Sequence, residues 1–567
     1  MRKILSVILL PLCVAFSFRL DAASALERVY FNTDRDCYVA GDAMWLSVFC
    51  VDPLHGGFST VSSVAYVELH SAAGLSATCK VALKDGRGGG RLLIPNTVPT
   101  GNYRIFAYTS LNADEQGYDF GANARTVSIF NTFTKERVEG GVEVVGEDGY
   151  GVAPEGFVSE GLSISTPGNA VKGGTASVRI TNTLSEPVTL SLSVASDPGI
   201  ASPSNPGIDA FVSANASAAE PSYRGARIPD YDGEVIGARI MGVNPARRAE
   251  MAGLNAYLSA PSEKATVYMS VADDEGNLNF FTNNIYGQKD LVLEVVHPDT
   301  TLGAHLELVS PFVNPSVEAP EPLQICSSLR DKLTGMSVSM QIEKRYASDT
   351  LYDYLEIRED PLYMLGTIRY HLDDYTRFPT LEEDIIEFIP QLRVRHTGKG
   401  EKEIGVRLED SVGQFYYSES PALVMLDGTP VFDVGKIFAY DALLVEDIII
   451  YPKPFFLGDK FINGYVDFVT YKKNLPSMTF DDNVRIVSFQ GPEMPVAYTC
   501  SKANENANYP DYRQLVYWHP ILEIGAGGSV TLECAMPAYD GTFKVRAEGL
   551  SGSGAPVSAR SSFKTGK

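Results

Sequence analysis

Short apolar segments separated by glycine and proline recur along most of this chain, and this pattern limits its fold more than any other feature. The first examples are residues 43–52, 61–69, 77–83 and 91–94. Strands spaced by roughly 8–12 residues, with turn residues between them, are typical of β-sandwiches. A chain of 567 residues has room for about four domains of about 150 residues each. We therefore expect a mainly β, multidomain protein.

The first 25 residues have the layout of a secretory signal peptide. Arg2 and Lys3 precede an apolar stretch over residues 4–16, and residues 23–25 (ASA) provide a small-residue cleavage site. No later run approaches the roughly 18 apolar residues that indicate a transmembrane helix. We therefore expect an exported protein whose mature chain has no transmembrane segment.

The chain is strongly acidic, with 47 basic and 70 acidic residues and a formal net charge of −23. Residues 1–25 carry Arg2, Lys3, Arg19 and Asp21, a net charge of +2, so their removal would leave −25. Nucleic acids and anionic lipids bind basic surfaces. Neither is therefore an expected partner.

Cysteine usage leaves two alternatives open. Six of the seven cysteines follow the signal-like segment, and none belongs to a C-x-x-C pair that would suggest a metal or redox site. Export permits disulfides, so a Cys500–Cys534 bond and buried free thiols are both possible. The six are Cys37, Cys50, Cys79, Cys326, Cys500 and Cys534.

Two motifs delimit the first module. Residues 28–34 (RVYFNTD) and 38–42 (YVAGD) open it, and residues 98–109 (VPTGNYRIFAYT) close it. These motifs resemble those of the second macroglobulin domain of α2-macroglobulin-like proteins, and the resemblance implies a β-sandwich. The large side chains of the module are expected to form its core: Tyr30, Trp45, Tyr103 and Phe106.

Two further sandwiches are expected next. Residues 162–196 resemble another macroglobulin-like domain, followed by a Ser/Ala/Pro-rich stretch over 197–232. That stretch is either a surface excursion or a protease-sensitive, bait-like loop containing Arg224 and Arg227. Residues 233–299 resemble a carboxypeptidase-regulatory sandwich. Its acidic residues 273–275 suggest either a solvated turn or calcium, although the EF-hand spacing is absent.

Residues 421–472 carry a different signature. Their segments 426–430 (LDGTP), 446–448 (EDI) and 458–470 (GDKFINGYVDFVT) resemble the plug domain of outer-membrane TonB-dependent receptors. Upstream, Thr380 and Glu383 predict a capped helix that ends at Pro390. The 97 residues after Thr470 are too few for a 22-strand barrel, which needs well over about 200. We expect an α/β plug-like domain without a barrel, with 427–428 and 463–464 as turns.

The C-terminal part also resembles a known combination. Residues 509–520 (YPDYRQLVYWHP), followed by 527–533 and 540–549, are similar to a signature near the C-terminus of large Bacteroidetes proteins that join macroglobulin-like domains to a plug. His519 stands where that family usually has Asn. The resemblance thus implies one further β-sandwich after the plug-like domain.

These observations divide the sequence into seven segments. They are a signal peptide (1–25), a macroglobulin-like sandwich (26–131), a second such sandwich with a Ser/Pro/Ala-rich loop (132–232), a carboxypeptidase-regulatory-like sandwich (233–310), a mixed linker (311–366), an α/β plug-like domain (367–475) and a C-terminal sandwich (476–567).

No catalytic, cofactor-binding or metal-ligating residues can be assigned. The sequence has no H-E-x-x-H, G-x-S-x-G or phosphate-binding glycine loop, and its seven histidines lack ligand spacing. No cysteine is followed by Gly-Glu-Gln, the thioester segment of trapping macroglobulins. Paired acids such as Glu382–Glu383 suit helix starts. We therefore predict that the protein is not an enzyme and uses no cofactor.

The leading hypothesis is a non-catalytic exported envelope protein, periplasmic or associated with the outer membrane, that binds an envelope or outer-membrane protein. The alternative is a macroglobulin-like protease inhibitor or decoy without a thioester. A carbohydrate-acting enzyme is a third class, for which no active site can be indicated.

Overall fold

The computed structural model describes most of the chain after the signal-like segment. The described residues are 26–146, 158–201, 203–216, 220–297, 299–346, 352–354, 366–397, 402–409, 413–417, 420–494, 496–498 and 511–566. The predicted signal peptide and Cys500 lie outside these residues. Within them the protein is mainly β and contains several separate sheets, as predicted.

The first module contains eight strands and one short helix. They are β1 (Arg28–Thr33), β2 (Cys37–Val39), β3 (Ala43–Val51), β4 (Val64–Ser71), β5 (Gly74–Lys84), β6 (Arg87–Leu93), β7 (Gly101–Thr109), α1 (Ser110–Asp114) and β8 (Arg125–Phe130).

Eleven strands and a helix follow. They are β9 (Val142–Val144), β10 (Leu162–Ser165), β11 (Asn169–Val171), β12 (Thr175–Asn182), β13 (Val188–Asp197), α2 (Ile208–Asn215), β14 (Val235–Met241), β15 (Asn255–Ser259), β16 (Val267–Val271), β17 (Asn277–Phe281), β18 (Gln288–Val296) and β19 (His305–Leu308).

The remaining elements mix helices and strands. They are β20 (Leu323–Ile325), α3 (Leu329–Tyr346), β21 (Tyr352–Tyr354), β22 (Ile368–His371), α4 (Leu381–Phe388), β23 (Leu392–His396), β24 (Lys402–Glu409), β25 (Phe415–Tyr417), β26 (Leu423–Leu426), β27 (Thr429–Pro430), α5 (Val434–Phe438), β28 (Val445–Leu457), β29 (Lys460–Thr470), β30 (Val484–Gln490), β31 (Val496–Tyr498), β32 (Leu515–Ile524), β33 (Ser529–Ala535), β34 (Gly541–Ser551) and β35 (Pro556–Gly566).

The first sandwich (residues 26–131) has the strand order β1-β3-β6-β5-β4-β7-β8-β2. Only two residue pairs join β5 to β6, so the order divides there into two layers that enclose the core. Of the four aromatics predicted to form this core, only Tyr103 lies in it. Tyr30, Trp45 and Phe106 are buried as well, but in separate clusters. β3 is buried along almost its whole length because the C-terminal strands cover its outer face.

The second sandwich is assembled from two distant parts of the chain. β13 lies between β32 and β34 in a seven-stranded sheet, and β12 pairs with β33 in the opposite one. Leu192, Val194, Val545 and Phe543 lie together in its core. The sequence had predicted separate sandwiches for 132–232 and 476–567. That division is corrected, because strands from both segments hydrogen-bond in one sheet.

The third sandwich contains β14, β17 and β19 in one sheet and β16-β15-β18-β30 in the other. Its last strand, β30, comes from beyond the plug-like segment and pairs with β18 over seven residues. Residues 484–490 therefore complete the sandwich predicted for 233–310. The predicted boundary at 476 is wrong for this strand.

Residues 367–475 form what we call the α/β unit. Its five-stranded sheet has the order β22-β28-β29-β26-β27, and β23-β24-β25 form a second, three-stranded sheet. Helices α4 and α5 lie against the core that these sheets share. The predicted order of capped helix, proline and strand is confirmed, because the Thr380 hydroxyl accepts from the Glu383 backbone N–H and Pro390 precedes β23.

The segment predicted as a mixed linker (311–366) contains the longest described helix, α3, of 18 residues. Met336 and Met340 of α3 pack on Val39 and Phe130 of the first sandwich. β20 pairs in parallel with β9, which adds a second connection. At least residues 323–346 are therefore a packed part of the molecule rather than a linker.

No helix in the described residues is long and apolar enough to cross a membrane. Four of the predicted cysteines are buried free thiols: Cys37, Cys50, Cys79 and Cys326. Cys534 is also buried. The predicted Cys500–Cys534 pair stays a prediction, because Cys500 lies outside the described residues.

Candidate binding surface

The LDG turn of the α/β unit is a structural element. Asp427 is fully buried and has a φ of 47°, as the turn between β26 and β27 requires. Its carboxylate accepts hydrogen bonds from Thr470 N at 2.6 Å, Thr470 Oγ1 at 2.8 Å and Leu475 N at 2.8 Å. These contacts fix the end of β29 beside the turn. Asp427 is thus satisfied internally, and the predicted turn at 427–428 is confirmed.

The second predicted turn, Asn463–Gly464, is wrong. Both residues lie inside β29, and the β28–β29 hairpin turns at Gly458–Asp459. Gly464 has a φ of 79° opposite a register shift between Tyr451 and Pro454, so it occupies a β-bulge. Asn-Gly is a common turn pair, and the same tolerance of positive φ also suits a bulge.

A second buried acid, Asp467, lies next to the turn. Its carboxylate accepts from Gly428 N at 3.0 Å. Burial raises its pKa, the Gly428 N–H lowers it and the nearby Asp427 raises it, which together give a value of about 7. The side chain is 1% exposed, and the carboxylic acid is favoured over the carboxylate below about pH 7.

One group within the described chain has the spacing of metal ligands. Ligand atoms of His371, Glu446 and Asp447 all lie within 4.8 Å of one another. Asp447 already pairs with His371 Nδ1 at 3.0 Å and with Arg369 at 3.3 Å. The guanidinium of Arg369 opposes a second cation, so the geometry fits an ion-pair network better than a metal site. The absence of a metal site stays a prediction.

The α/β unit is joined firmly to the third sandwich. Glu263 pairs with Arg369 and with Lys473, each at 2.7 Å, and these two cations lower the pKa of Glu263 to about 2. Apolar side chains of both parts, including Tyr257 and Met425, form a shared buried cluster. The unit therefore presents only its remaining faces to solvent.

One exposed apolar feature of this unit is β25, which we call the aromatic strand. Phe415, Tyr416 and Tyr417 are consecutive and are 57%, 43% and 37% exposed. β25 pairs with β24 on one side and is the last strand in its sheet. Its outer edge can therefore accept another strand, and its aromatic rings offer apolar contact area.

A second exposed aromatic pair lies at the β28–β29 hairpin. Phe456 and Phe461 are opposite each other, 64% and 56% exposed, with ring centroids 5.3 Å apart. The neighbouring Phe455 and Leu457 point to the other face, where they are buried against the third sandwich. Neither aromatic feature was predicted from the sequence, because only the fold shows which face of a strand is left uncovered.

The suspected bait-like loop is held in place at its two arginines. The Asp114 carboxylate accepts from the backbone N–H groups of Gly225, Ala226 and Arg227 at 2.7–3.1 Å. The Arg227 side chain donates to Pro311 O at 2.7 Å. Residues 224–227 are therefore an exposed segment whose backbone is held by hydrogen bonds, which favours a surface excursion over a bait.

The acidic residues 273–275 form a turn. One oxygen of the Asp273 carboxylate accepts from Glu275 N at 2.9 Å and from Asn277 N at 2.8 Å, and the other accepts from Asn277 Nδ2 at 3.0 Å. The bonds from Asn277, together with those from the Glu275 and Gly276 backbones, lower the pKa of Asp273. The solvated turn between β16 and β17 is thus the interpretation that the geometry supports.

No family model matches the sequence, and no curated protein matches it. Among solved structures, trypsin-activated α2-macroglobulin from Escherichia coli aligns with 8% identity over 96% of this chain and 41% of that chain, at a TM-score of 0.22. Salmonella α2-macroglobulin reacted with methylamine gives 9% identity, 96% and 40% coverage and a TM-score of 0.22. The Escherichia coli adhesin FdeC gives 12% identity, 48% and 59% coverage and a TM-score of 0.14.

The chain spans about two fifths of the length of these macroglobulins. TM-scores of this size support no conclusion about fold or function. The β-sandwich architecture rests instead on the sheets of the protein itself.

Proposed function

We propose that this protein is a non-catalytic binding component of the cell envelope, exported and associated with the outer membrane. The α/β unit is the part that contacts a partner protein. The β-sandwiches, macroglobulin-like in their sequence motifs, act as spacers and additional recognition surfaces. The proposal builds on the resemblance of residues 367–475 to a receptor plug domain.

The aromatic strand is the observation that carries the proposal. Three consecutive exposed aromatic residues lie on a strand that has a neighbour on only one side among the described strands, an arrangement that suits strand addition. Aromatic side chains are also the residues most often found at the centre of protein interfaces. The partner we propose is an outer-membrane protein that adds a strand to β25.

The experiment is a pull-down from envelope extracts with the full-length protein as bait. We expect an outer-membrane protein to be retained by the wild type and to be lost from the double variant Phe415→Ser/Tyr416→Ser. The matched control is Phe281→Ser, which removes a ring that is 62% exposed on β17 of the third sandwich. Retention of no outer-membrane protein by the wild type, or equal retention by both variants, would contradict the proposal.

A further inference from the structure

A basic cleft lies between the first and second sandwiches, bordered by α3. Its volume is about 570 Å³, within the range of small-molecule sites. Five basic and two acidic side chains line it, although the whole chain has 47 basic and 70 acidic residues. The local excess of positive charge is therefore opposite in sign to that of the molecule. We call it the arginine cleft, after Arg125, Arg546 and Arg560.

The two acidic side chains neutralise only part of this positive charge. Asp36 pairs with Arg546 at 2.7 Å and with Arg125 at 3.6 Å, while Asp197 pairs with Lys544 at 3.0 Å. Burial alone would raise the pKa of Asp36, but the guanidiniums of Arg546 and Arg125, with a smaller contribution from Arg560, hold it below its usual value. Asp36 is thus a carboxylate shared between two arginines.

Arg35, the fifth basic residue, is paired away from the cleft. Its guanidinium lies 2.9 Å from Asp34 and 3.7 Å from Asp42, and neither carboxylate lines the cleft. Glu548 lies behind the arginines, where its Oε1 accepts from Tyr30 at 2.6 Å and from Ile208 N at 2.7 Å. Three arginines, Arg125, Arg546 and Arg560, therefore remain beside Asp36 in the cleft lining.

The salt bridges of the cleft do not include Arg560 among the described residues. It lies directly opposite Arg546 in the antiparallel β34–β35 pair, and like charges at such positions destabilise a sheet. Among the described residues it has neither a salt bridge nor a hydrogen-bond acceptor. Arg125, 8% exposed, likewise has no described hydrogen-bond partner at Nε. An anion placed between these side chains would remove the repulsion and use the remaining donors.

We propose that the arginine cleft binds the phosphate group of a small soluble ligand. Asp36, with one contact to Arg546 and one to Arg125, neutralises only part of their charge. A phosphate group has more acceptor oxygens and more charge, so it can use Arg560 together with the remaining donors of Arg125 and Arg546. The remaining volume accommodates the rest of the ligand. This inference is independent of the proposed envelope partner.

The position of the cleft gives the ligand a structural effect. Arg125 lies on β8 of the first sandwich, whereas Arg546 and Arg560 belong to the second. A ligand held by both sandwiches binds the folded arrangement and not the unfolded chain. Bound phosphate must therefore raise the melting temperature.

The test is calorimetric titration of the full-length protein with inorganic phosphate and with pyrophosphate, at an ionic strength held constant with chloride. We expect saturable binding and a rise in melting temperature. Arg560→Gln should weaken binding about tenfold or more, since a hydrogen bond to a charged group contributes about 1.5–3 kcal/mol. Arg560→Lys keeps the charge but loses the bidentate guanidinium. Its affinity for phosphate should therefore lie between those of the wild type and Arg560→Gln.

The matched control is Arg179→Gln, which removes the same charge from an exposed position on β12 of the second sandwich. It should bind both anions as the wild type does. Absence of saturable binding by the folded wild type would overturn the proposal. So would equal weakening by Arg560→Gln and Arg179→Gln, because the effect would then come from net charge alone.

Discussion

At the scale of single residues, Asp467 gives the clearest dependence of stability on pH. Its native pKa of about 7 lies above the unfolded value of 3.8, so the folded state holds the proton more tightly. Ionisation of the buried carboxyl destabilises the folded state. This destabilisation is absent below the unfolded pKa and grows as the pH rises through the native pKa. A shift of this size corresponds to about 4 kcal/mol at most.

Asp467→Asn keeps the acceptor for Gly428 N and removes the ionisation. We predict that the variant matches the wild type in free energy of unfolding near pH 4 and exceeds it at pH 8. Urea unfolding at both pH values measures the difference. The control Asp482→Asn changes an exposed carboxylate nearby and should show no such trend. An equal stability of Asp467→Asn and the wild type at pH 8 would contradict this assignment.

Several residue-level features of the structure could be predicted from the sequence. The buried aromatics of the first sandwich, the Thr380 cap and the 427–428 turn followed from local patterns. Burial of Asp467 did not, because alternation assigns a residue to a face without saying what covers that face. The exposed rings of the aromatic strand were missed for the same reason.

At the scale of elements, the β28–β29 hairpin depends on a glycine inside a strand. A Cβ at position 464 would lie 2.6 Å from the Tyr451 carbonyl oxygen, and its φ of 79° disfavours other residues. We predict that Gly464→Ala lowers the free energy of unfolding by about 1–3 kcal/mol. The control is Gly405→Ala on β24, whose Cβ would have its closest neighbour at 3.8 Å. Thermal and urea unfolding compare the two; equal losses would contradict a bulge-specific effect.

The segment around Arg224 and Arg227 permits a second test at this scale. Because Asp114 holds its backbone, trypsin should cut the native protein slowly at these two arginines. Asp114→Ala should accelerate that cleavage, whereas Asp119→Ala, which removes an exposed bond to Gly121 N, should not. Mass spectrometry of timed digests identifies the sites. Rapid first cleavage there in the wild type, followed by compaction, would favour the macroglobulin-like inhibitor instead.

At the scale of the whole molecule, the sequence predicted the β-sandwich character and the order of modules but not how they interlock. The second sandwich combines β10–β13 with β32–β35, and β30 returns to the third sandwich after the α/β unit. Periodicity identifies strands and their faces, whereas pairing between distant strands depends on tertiary packing. Residues 323–346 were mistaken for part of a linker because α3 packs through few apolar side chains.

This interlocked arrangement explains how one chain can present the α/β unit rigidly. The unit is inserted between β19 and β30 of the third sandwich and contacts it through Glu263 and a shared apolar cluster. A partner that binds the aromatic strand would thus be held at a fixed orientation to the sandwiches. The proposed envelope function depends on that presentation.

Photo-crosslinking in the native cell tests the proposed function most directly. A photoreactive residue is placed at Tyr416 of the aromatic strand or, as a control, at the exposed Phe281 of β17. We predict a light-dependent adduct with one outer-membrane protein from position 416 and none with that protein from position 281. No adduct with an outer-membrane protein at position 416, or the same adduct from both positions, would contradict the account.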